Sequence, residues 1–204
     1  MQKIDLRKEL KPYYNPSPKQ VEIVDTPAMH FIMIDGHGDP NKAIGYQQAV
    51  EALYSMSYTL KFKIKKGKEA IDYPVLPLEG LWWVDDMNLF SVEHKEDWDW
   101  TMMIAQPDFV TKKIFSETLP EVEKKKPNPA LKLLRFEKFK EGKAAQIMHL
   151  GPYAAEAPTI AKLHAFIAEQ GYKLKGKHHE IYLSDPRKSA PEKMKTIIRQ
   201  PFGN

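Results

Sequence analysis

Cysteine is absent from the 204-residue chain, and that absence removes disulfide bridges, thiolate zinc centres and a cysteine nucleophile together. Any reacting group must come from carboxylates, histidine, tyrosine or serine. No 18 apolar residues run together, so no segment is expected to cross a bilayer as a helix. The first ten residues, Met1 to Leu10, alternate charge with apolar side chains, whereas a secretory signal needs an unbroken apolar stretch of about 7–15 residues. A cytoplasmic protein without membrane association is the expectation. Charge of one sign is also scarce: 31 Lys+Arg against 27 Asp+Glu leave +4. The lysines stand beside acids, as in Glu121-Val122-Glu123-Lys124-Lys125-Lys126, so the concentrated basic face that nucleic acid requires is missing. Phosphate-binding Gly-x-x-x-x-Gly-Lys loops, dinucleotide Gly-x-Gly-x-x-Gly turns, His-Glu-x-x-His and Gly-x-Ser-x-Gly are all lacking, which argues against phosphoryl transfer, hydride transfer and the common hydrolase motifs. No cofactor or metal is expected.

What the chain does contain is a core's worth of apolar residues, 42% of the total, arranged in short alternating elements. His30 to Asp35 reads as a strand, closed by the turn Gly36-His37-Gly38-Asp39-Pro40. A helix follows, with Ile44, Ala49, Val50, Leu53, Tyr54 and Met56 at three- and four-residue spacing and Asn41 as its expected N-cap. Strands are predicted at Leu78–Val84 and Trp98–Ala105, and a second helix lies between Phe109 and Lys126. Pro127-Asn128-Pro129 breaks the chain, and Leu131–Phe139 is expected to open a second half as a strand. There the order repeats: a strand at Ala144–Leu150, the turn Gly151-Pro152-Tyr153, a helix through Ile160, Leu163, Phe166 and Ile167, and an aromatic strand at Glu180–Leu183. Setting Gly38 against Gly151 puts Leu53 and Tyr54 opposite Phe166 and Ile167. This reads as an internal duplication within a single domain, residues 1–204, with halves at about 20–126 and 130–204.

Four tryptophans, Trp82, Trp83, Trp98 and Trp100, crowd onto two neighbouring strands. Trp82 and Trp83 point to opposite sheet faces while Trp98 and Trp100 share one, so the set serves either as core or as the wall of a pocket that stacks planar or cationic ligands. Glu180 shares a strand face with Tyr182. A carboxylate beside aromatics can neutralise a bound cation or act as a general base; the bland possibility is a solvated strand-entry Glu paired with Lys175 or Lys177. Glu79, next to Gly80, offers the same choice. The adjacent His178 and His179 face opposite sides of a strand and cannot chelate one metal alone; a solvated turn or a satisfied core histidine is expected.

The tail, Glu180-Ile181-Tyr182-Leu183-Ser184-Asp185-Pro186 through Pro191-Glu192-Lys193 to Thr196-Ile197-Ile198-Arg199-Gln200-Pro201-Phe202, runs strand, Asp-Pro turn, short helical turn and last strand without spare residues. With His149-Leu150-Gly151-Pro152-Tyr153 and Leu78-Glu79-Gly80-Leu81-Trp82-Trp83 it closely resembles the GyrI-like small-molecule-binding domain family, from about His30 onward. The resemblance implies an α+β fold of duplicated β-α-β-β (SHS2-like) units whose antiparallel sheets curve around a central ligand groove, as in bacterial effector-binding domains. It also implies a small-molecule ligand, aromatic or hydrophobic. The roughly 29 residues before His30 are too few for a winged helix, so no direct nucleic-acid contact is expected. Stand-alone relatives bind drugs, modulate gyrase or, in one subfamily, hydrolyse the cyclopropane ring of DNA-alkylating natural products. Likeness to that hydrolase subfamily implies Glu180 as the base that activates water, with Trp83, Trp100, Tyr153 and Tyr182 as the aromatic cage and Tyr153 or His149 as the donor to the developing anion. Likeness to the remaining members implies instead a drug-sequestering module or a gyrase-modulator-like interaction protein. Relatives that place an acid on the last strand differ from this chain, which has Thr196, Ile197 and Ile198 there.

Overall fold

Alternating apolar patterns produce strands here wherever turn residues interrupt them, and the computed structural model describes residues 1–87 and 94–204. In chain order the elements are β1 (Gln2–Lys3), α1 (Leu6–Glu9), α2 (Lys11–Tyr14), β2 (Glu22–Thr26), β3 (Met29–His37), α3 (Ile44–Lys66), β4 (Ile71–Asp72), β5 (Leu78–Trp83), β6 (Asp99–Gln106), α4 (Lys112–Lys125), β7 (Arg135–Phe139), β8 (Gly142–Leu150), α5 (Ala157–Glu169), β9 (Lys173–Leu174), β10 (His178–Tyr182) and β11 (Lys195–Gly203). The chain divides into two compact units: Met1–Glu9, Met29–Leu78 and Trp82–Phe139 form the first, and Leu10–Ala28, Glu79–Leu81 and Lys140–Asn204 the second. No helix among the described residues is long and apolar enough to cross a membrane.

In the first unit β3 is flanked antiparallel by β6 and β7. Helix α3 lies against β3 and β6 and buries Ala49, Ala52, Leu53, Met56, Ser57, Leu60 and Ile64, the stripe that a 3.6-residue period demands. Two details differ from the sequence reading. Ala43, not Asn41, is the N-cap, because Asn41 is drawn back into the preceding turn by Asp39, whose Oδ1 accepts from its backbone and side-chain amides at 2.9 Å each. Ile44 is left outside the stripe at 74% exposure. Helix α4 is capped by Thr111, whose hydroxyl oxygen accepts from the Ile114 amide at 3.3 Å.

The second unit orders its main strands β2-β8-β11-β10, all antiparallel. One face buries Ala145, Ile147 and Ile198 against Leu163 and Ile167 of α5 and against Phe202. The opposite face packs Met148, Ile181 and Ile197 against Tyr14, with Leu10, Tyr13 and Leu183 beside them. Burying a leucine or isoleucine side chain of this kind contributes about 1.5–3 kcal/mol, so both faces are committed.

Along the chain the order strand, helix, strand, strand occurs as β3-α3-β5-β6 and again as β8-α5-β10-β11, with the two-residue strands β4 and β9 after the helices. Gly38 and Gly151, the two glycines set against each other in the sequence, both adopt positive φ, +96° and +133°. The expected strand at Leu131–Phe139 is shorter. Pro129–Leu133 is a 3-10 turn nucleated by Asn128, whose side-chain oxygen accepts from the Ala130 amide, and Leu133 is 60% exposed. Strand β7 pairs with β3 of the first unit, while β2 from the N-terminal part of the chain, absent from the sequence reading, pairs with β8 of the second.

Candidate functional site

Strand β10 carries two polar clusters, one on each face. Alternation sends His178, Glu180 and Tyr182 to the face that α5 covers, and His179 and Ile181 to the face that Tyr14 covers.

On the α5 face the Glu180 carboxylate accepts hydrogen bonds from the Tyr182 hydroxyl at 2.7 Å and from His178 Nε2–H at 3.1 Å. The Glu180 side chain keeps 15% exposure while that of His178 keeps 4%, so an acid in touch with solvent is fixed from behind by a sealed imidazole. Tyr153, in the short turn after β8, meets Tyr182 edge-on, with ring centroids 5.5 Å apart at 74°. The result is an oriented carboxylate with two phenol rings beside it, able to receive a proton from a water or to face a polar group of a ligand lying on the rings.

The cross-strand row Tyr182, Thr196, His149 runs next to Glu180 on this face. His149 is buried, and both its ring nitrogens are engaged: Nδ1 accepts from the Thr159 hydroxyl at 2.9 Å and Nε2–H donates to the Pro152 carbonyl at 3.3 Å. The His149 N–H thus already has an acceptor within the protein. The Thr196 hydroxyl is fully buried and, among the described residues, has no hydrogen-bond partner. Trp83 and Trp100 belong to the first unit. Trp83 is half-buried; Trp100 is buried with its ring over Gly36, where a Cβ would fall inside the indole, and Tyr46 packs edge-on against it at 5.3 Å.

The other face holds a buried ionic chain that sequence reasoning missed. His179 donates from Nε2 to Glu79 and from Nδ1 to Glu141, each at 2.9 Å. Glu141 also accepts from Arg199 Nη1 at 3.1 Å, and Glu79 from the Tyr14 hydroxyl at 2.6 Å. Arg199 completes its fork on Gln146 Oε1, from Nε at 3.0 Å and Nη2 at 2.9 Å, and on the Tyr13 carbonyl. Strand register builds the row, since His179 lies opposite Arg199 and Arg199 opposite Gln146. Burial works against the His179 charge, but Glu141 and then Glu79 outweigh it and hold the imidazolium at about 9. Burial likewise opposes the Glu141 charge, and His179 followed by Arg199 hold that carboxyl down at about 2. Burial first, then Glu79, pushes the Tyr14 hydroxyl well above its ordinary value. Two acids and two bases cancel, as burial requires. The legible signal was Arg199 itself, a charge set directly after Ile197 and Ile198 on the last strand, together with the already suspect Glu79.

As for metals, His178 and His179 do turn to opposite faces, each held by carboxylate. Among the described residues one group, His94, Glu96 and Asp97, has ligand atoms within 4.8 Å of one another, and all three are exposed.

Comparison with known proteins gives this arrangement a context. The family model of the GyrI-like small molecule binding domain matches residues 19–201. A crystal structure from Listeria innocua described as that of a hydrolase is 40% identical over 98% of this chain and 100% of its own, with a TM-score of 0.85. An uncharacterized conserved protein from the same organism is equally identical over the same coverage, with a TM-score of 0.90. The C-terminal domain of EcmrR, at 12% identity, shares the fold over 91% of this chain and 98% of its own, with a TM-score of 0.58. No curated protein sequence matches the chain.

Proposed function

Since this chain belongs to the GyrI-like small-molecule-binding domain family, we propose that it binds planar aromatic xenobiotics and hydrolyses those carrying a strained cyclopropane conjugated to a carbonyl. The observation that carries the reading is the Glu180 carboxylate, oriented by Tyr182 and His178 and flanked by Tyr153. The Listeria innocua relatives described as hydrolases support an enzyme over a passive binder.

The chemistry asks little of the protein. Glu180 takes a proton from a water while the water oxygen bonds to the cyclopropane carbon; the ring C–C bond breaks, and its electron pair moves through the conjugated system to the carbonyl oxygen. Release of that proton from Glu180 to solvent, and uptake of one from solvent by the carbonyl oxygen, completes the addition of one water. Ring strain supplies driving force, so orienting the water and the planar substrate is the main task. Tyr182 and His178 are positioning residues, fixing the carboxylate from two sides.

The test is to incubate the purified protein with a planar cyclopropane-containing alkylator and follow intact and hydrated compound by mass spectrometry, with Glu180→Gln in parallel. Many turnovers per protein molecule, lost by about 100-fold or more in the variant, are expected. Turnover unchanged in Glu180→Gln overturns the mechanism, and stoichiometric binding with recovery of unaltered compound makes the protein a sequestering module.

A further inference from the structure

A buried hydroxyl without a partner is uncommon enough to require a reason. Thr196 is fully buried, and its Oγ1 has no partner among the described residues. Its surroundings narrow the explanation. Thr196 lies opposite Tyr182 on β10 and opposite His149 on β8, so it occupies the centre of the row that borders Glu180. Both neighbours have spent their polar atoms on the protein: Tyr182 gives its proton to Glu180, and His149 is engaged through both nitrogens. Thr196 therefore holds the uncommitted donor of this row.

The repeat supplies a second observation. Counting from the positive-φ glycines, Gly36 stands two residues before Gly38 as His149 stands two before Gly151, and the residue opposite Gly36 is Trp100. Trp100 corresponds to Thr196, and its Nε1 is likewise buried and, among the described residues, unpartnered. Each unit thus keeps one unpaired polar hydrogen at the same place in its sheet, although the side chains differ entirely. Packing alone would select an apolar residue at such a place.

We propose that the Thr196 hydroxyl is a ligand-contacting donor that hydrogen-bonds the carbonyl oxygen of the bound planar compound. This deepens the reading of the Glu180 site and rests on it. Glu180 pairs with Ile198, two residues from Thr196 along β11, and such diagonal neighbours lie roughly 7–8 Å apart. That separation matches a conjugated ring with its electrophilic carbon at the Glu180 end and its carbonyl oxygen at the Thr196 end. During ring opening the same hydroxyl would meet the oxygen on which negative charge develops, the role sequence analysis gave to His149 or Tyr153.

Thr196→Val keeps the shape and removes the hydroxyl; Thr196→Ser keeps the hydroxyl. Affinity is measured by calorimetry for two probes, a planar fused-ring dienone and its analogue with the carbonyl reduced to methylene, and melting temperature is read without ligand. The expected result is a loss of about 10-fold or more in Thr196→Val affinity for the dienone alone, recovery in Thr196→Ser, and a Thr196→Val melting temperature at or above wild type because an unsatisfied buried hydroxyl is gone. Equal losses for both probes, no loss for either, or a lowered melting temperature in Thr196→Val overturns the role of Thr196 while leaving the Glu180 reading standing. Wild-type protein that binds neither probe overturns both, and the failure then shows in the wild type rather than in the variant.

Discussion

Replacing Glu141 by Gln tests the buried ionic chain where it is most exposed to titration. His179 in the folded protein holds its proton to about 9, against about 6.5 in an unfolded chain. A raised pKa contributes stability that is full below 6.5 and lost as pH climbs through 9. Glu141, held at about 2 against an ordinary 4.5, contributes stability that is full above 4.5 and lost as pH falls toward 2. Both describe one interaction seen from its two ends, so it is counted once. A difference of about 2.5 units corresponds to on the order of 3 kcal/mol, and the plateau lies between about pH 4.5 and 6.5. Gln at 141 removes the first partner of His179 and leaves Arg199 without a carboxylate in a buried place, a loss of about 3–5 kcal/mol. For a chain of this size that lowers the melting temperature by roughly 10 °C at pH 6. Thermal denaturation followed by circular dichroism from pH 5 to 9.5 reads it. The gap between wild type and variant is expected to be widest near pH 6 and to narrow toward pH 9.5, as wild-type His179 loses its proton. A variant melting within about 2 °C of wild type at pH 6, or a gap that does not narrow, refutes the argument.

Tyr14→Phe keeps the ring, removes the 2.6 Å hydrogen bond to Glu79 and leaves that carboxylate its bond to His179, so a smaller loss of about 1.5–3 kcal/mol is expected in the same assay; a loss equal to that of Glu141→Gln would refute the idea that His179 can hold Glu79 without the Tyr14 hydroxyl. Gly36→Ala puts a methyl group into the Trp100 ring. Displacing the indole is expected to destabilise the protein by about 1–3 kcal/mol and to shift tryptophan emission to longer wavelength, and an unchanged spectrum would refute the placement of the Trp100 ring over Gly36.

Much of the fold was legible because its signals are local. The three-and-four spacing around Leu53, the alternation along β6 and the glycine turns each depend on a few neighbouring residues, and the GyrI-like resemblance extended them into a topology. What escaped is non-local. Nothing near Arg135 says that its strand joins β3, and nothing near Glu22 says that its strand waits for β8. The site divides the same way: Glu180 and Tyr182 share a face by simple alternation, and Tyr153 follows from the turn after β8. His178 as the second holder of Glu180 was hidden by being read as half of a pair with His179, when the strand gives each histidine to a different cluster. The ionic chain draws on Tyr14, Glu79, Glu141, His179 and Arg199, and only pairing register brings such separated residues together.

The exchange of β2 and β7 bears on the order in which the protein can be made. A ribosome releases Thr26 long before its acceptor Gly142, which lies 116 positions further on, so β2 waits unpaired while the whole first unit is synthesised. That unit in turn stays open until β7 emerges to flank β3. Contacts of such long range slow folding, and an unpaired strand edge in the meantime is a place for another chain to add. The nascent chain is thus at its most vulnerable between the release of β3 and that of β8, the interval in which a chaperone holding the segment around Ile23 would contribute most to yield.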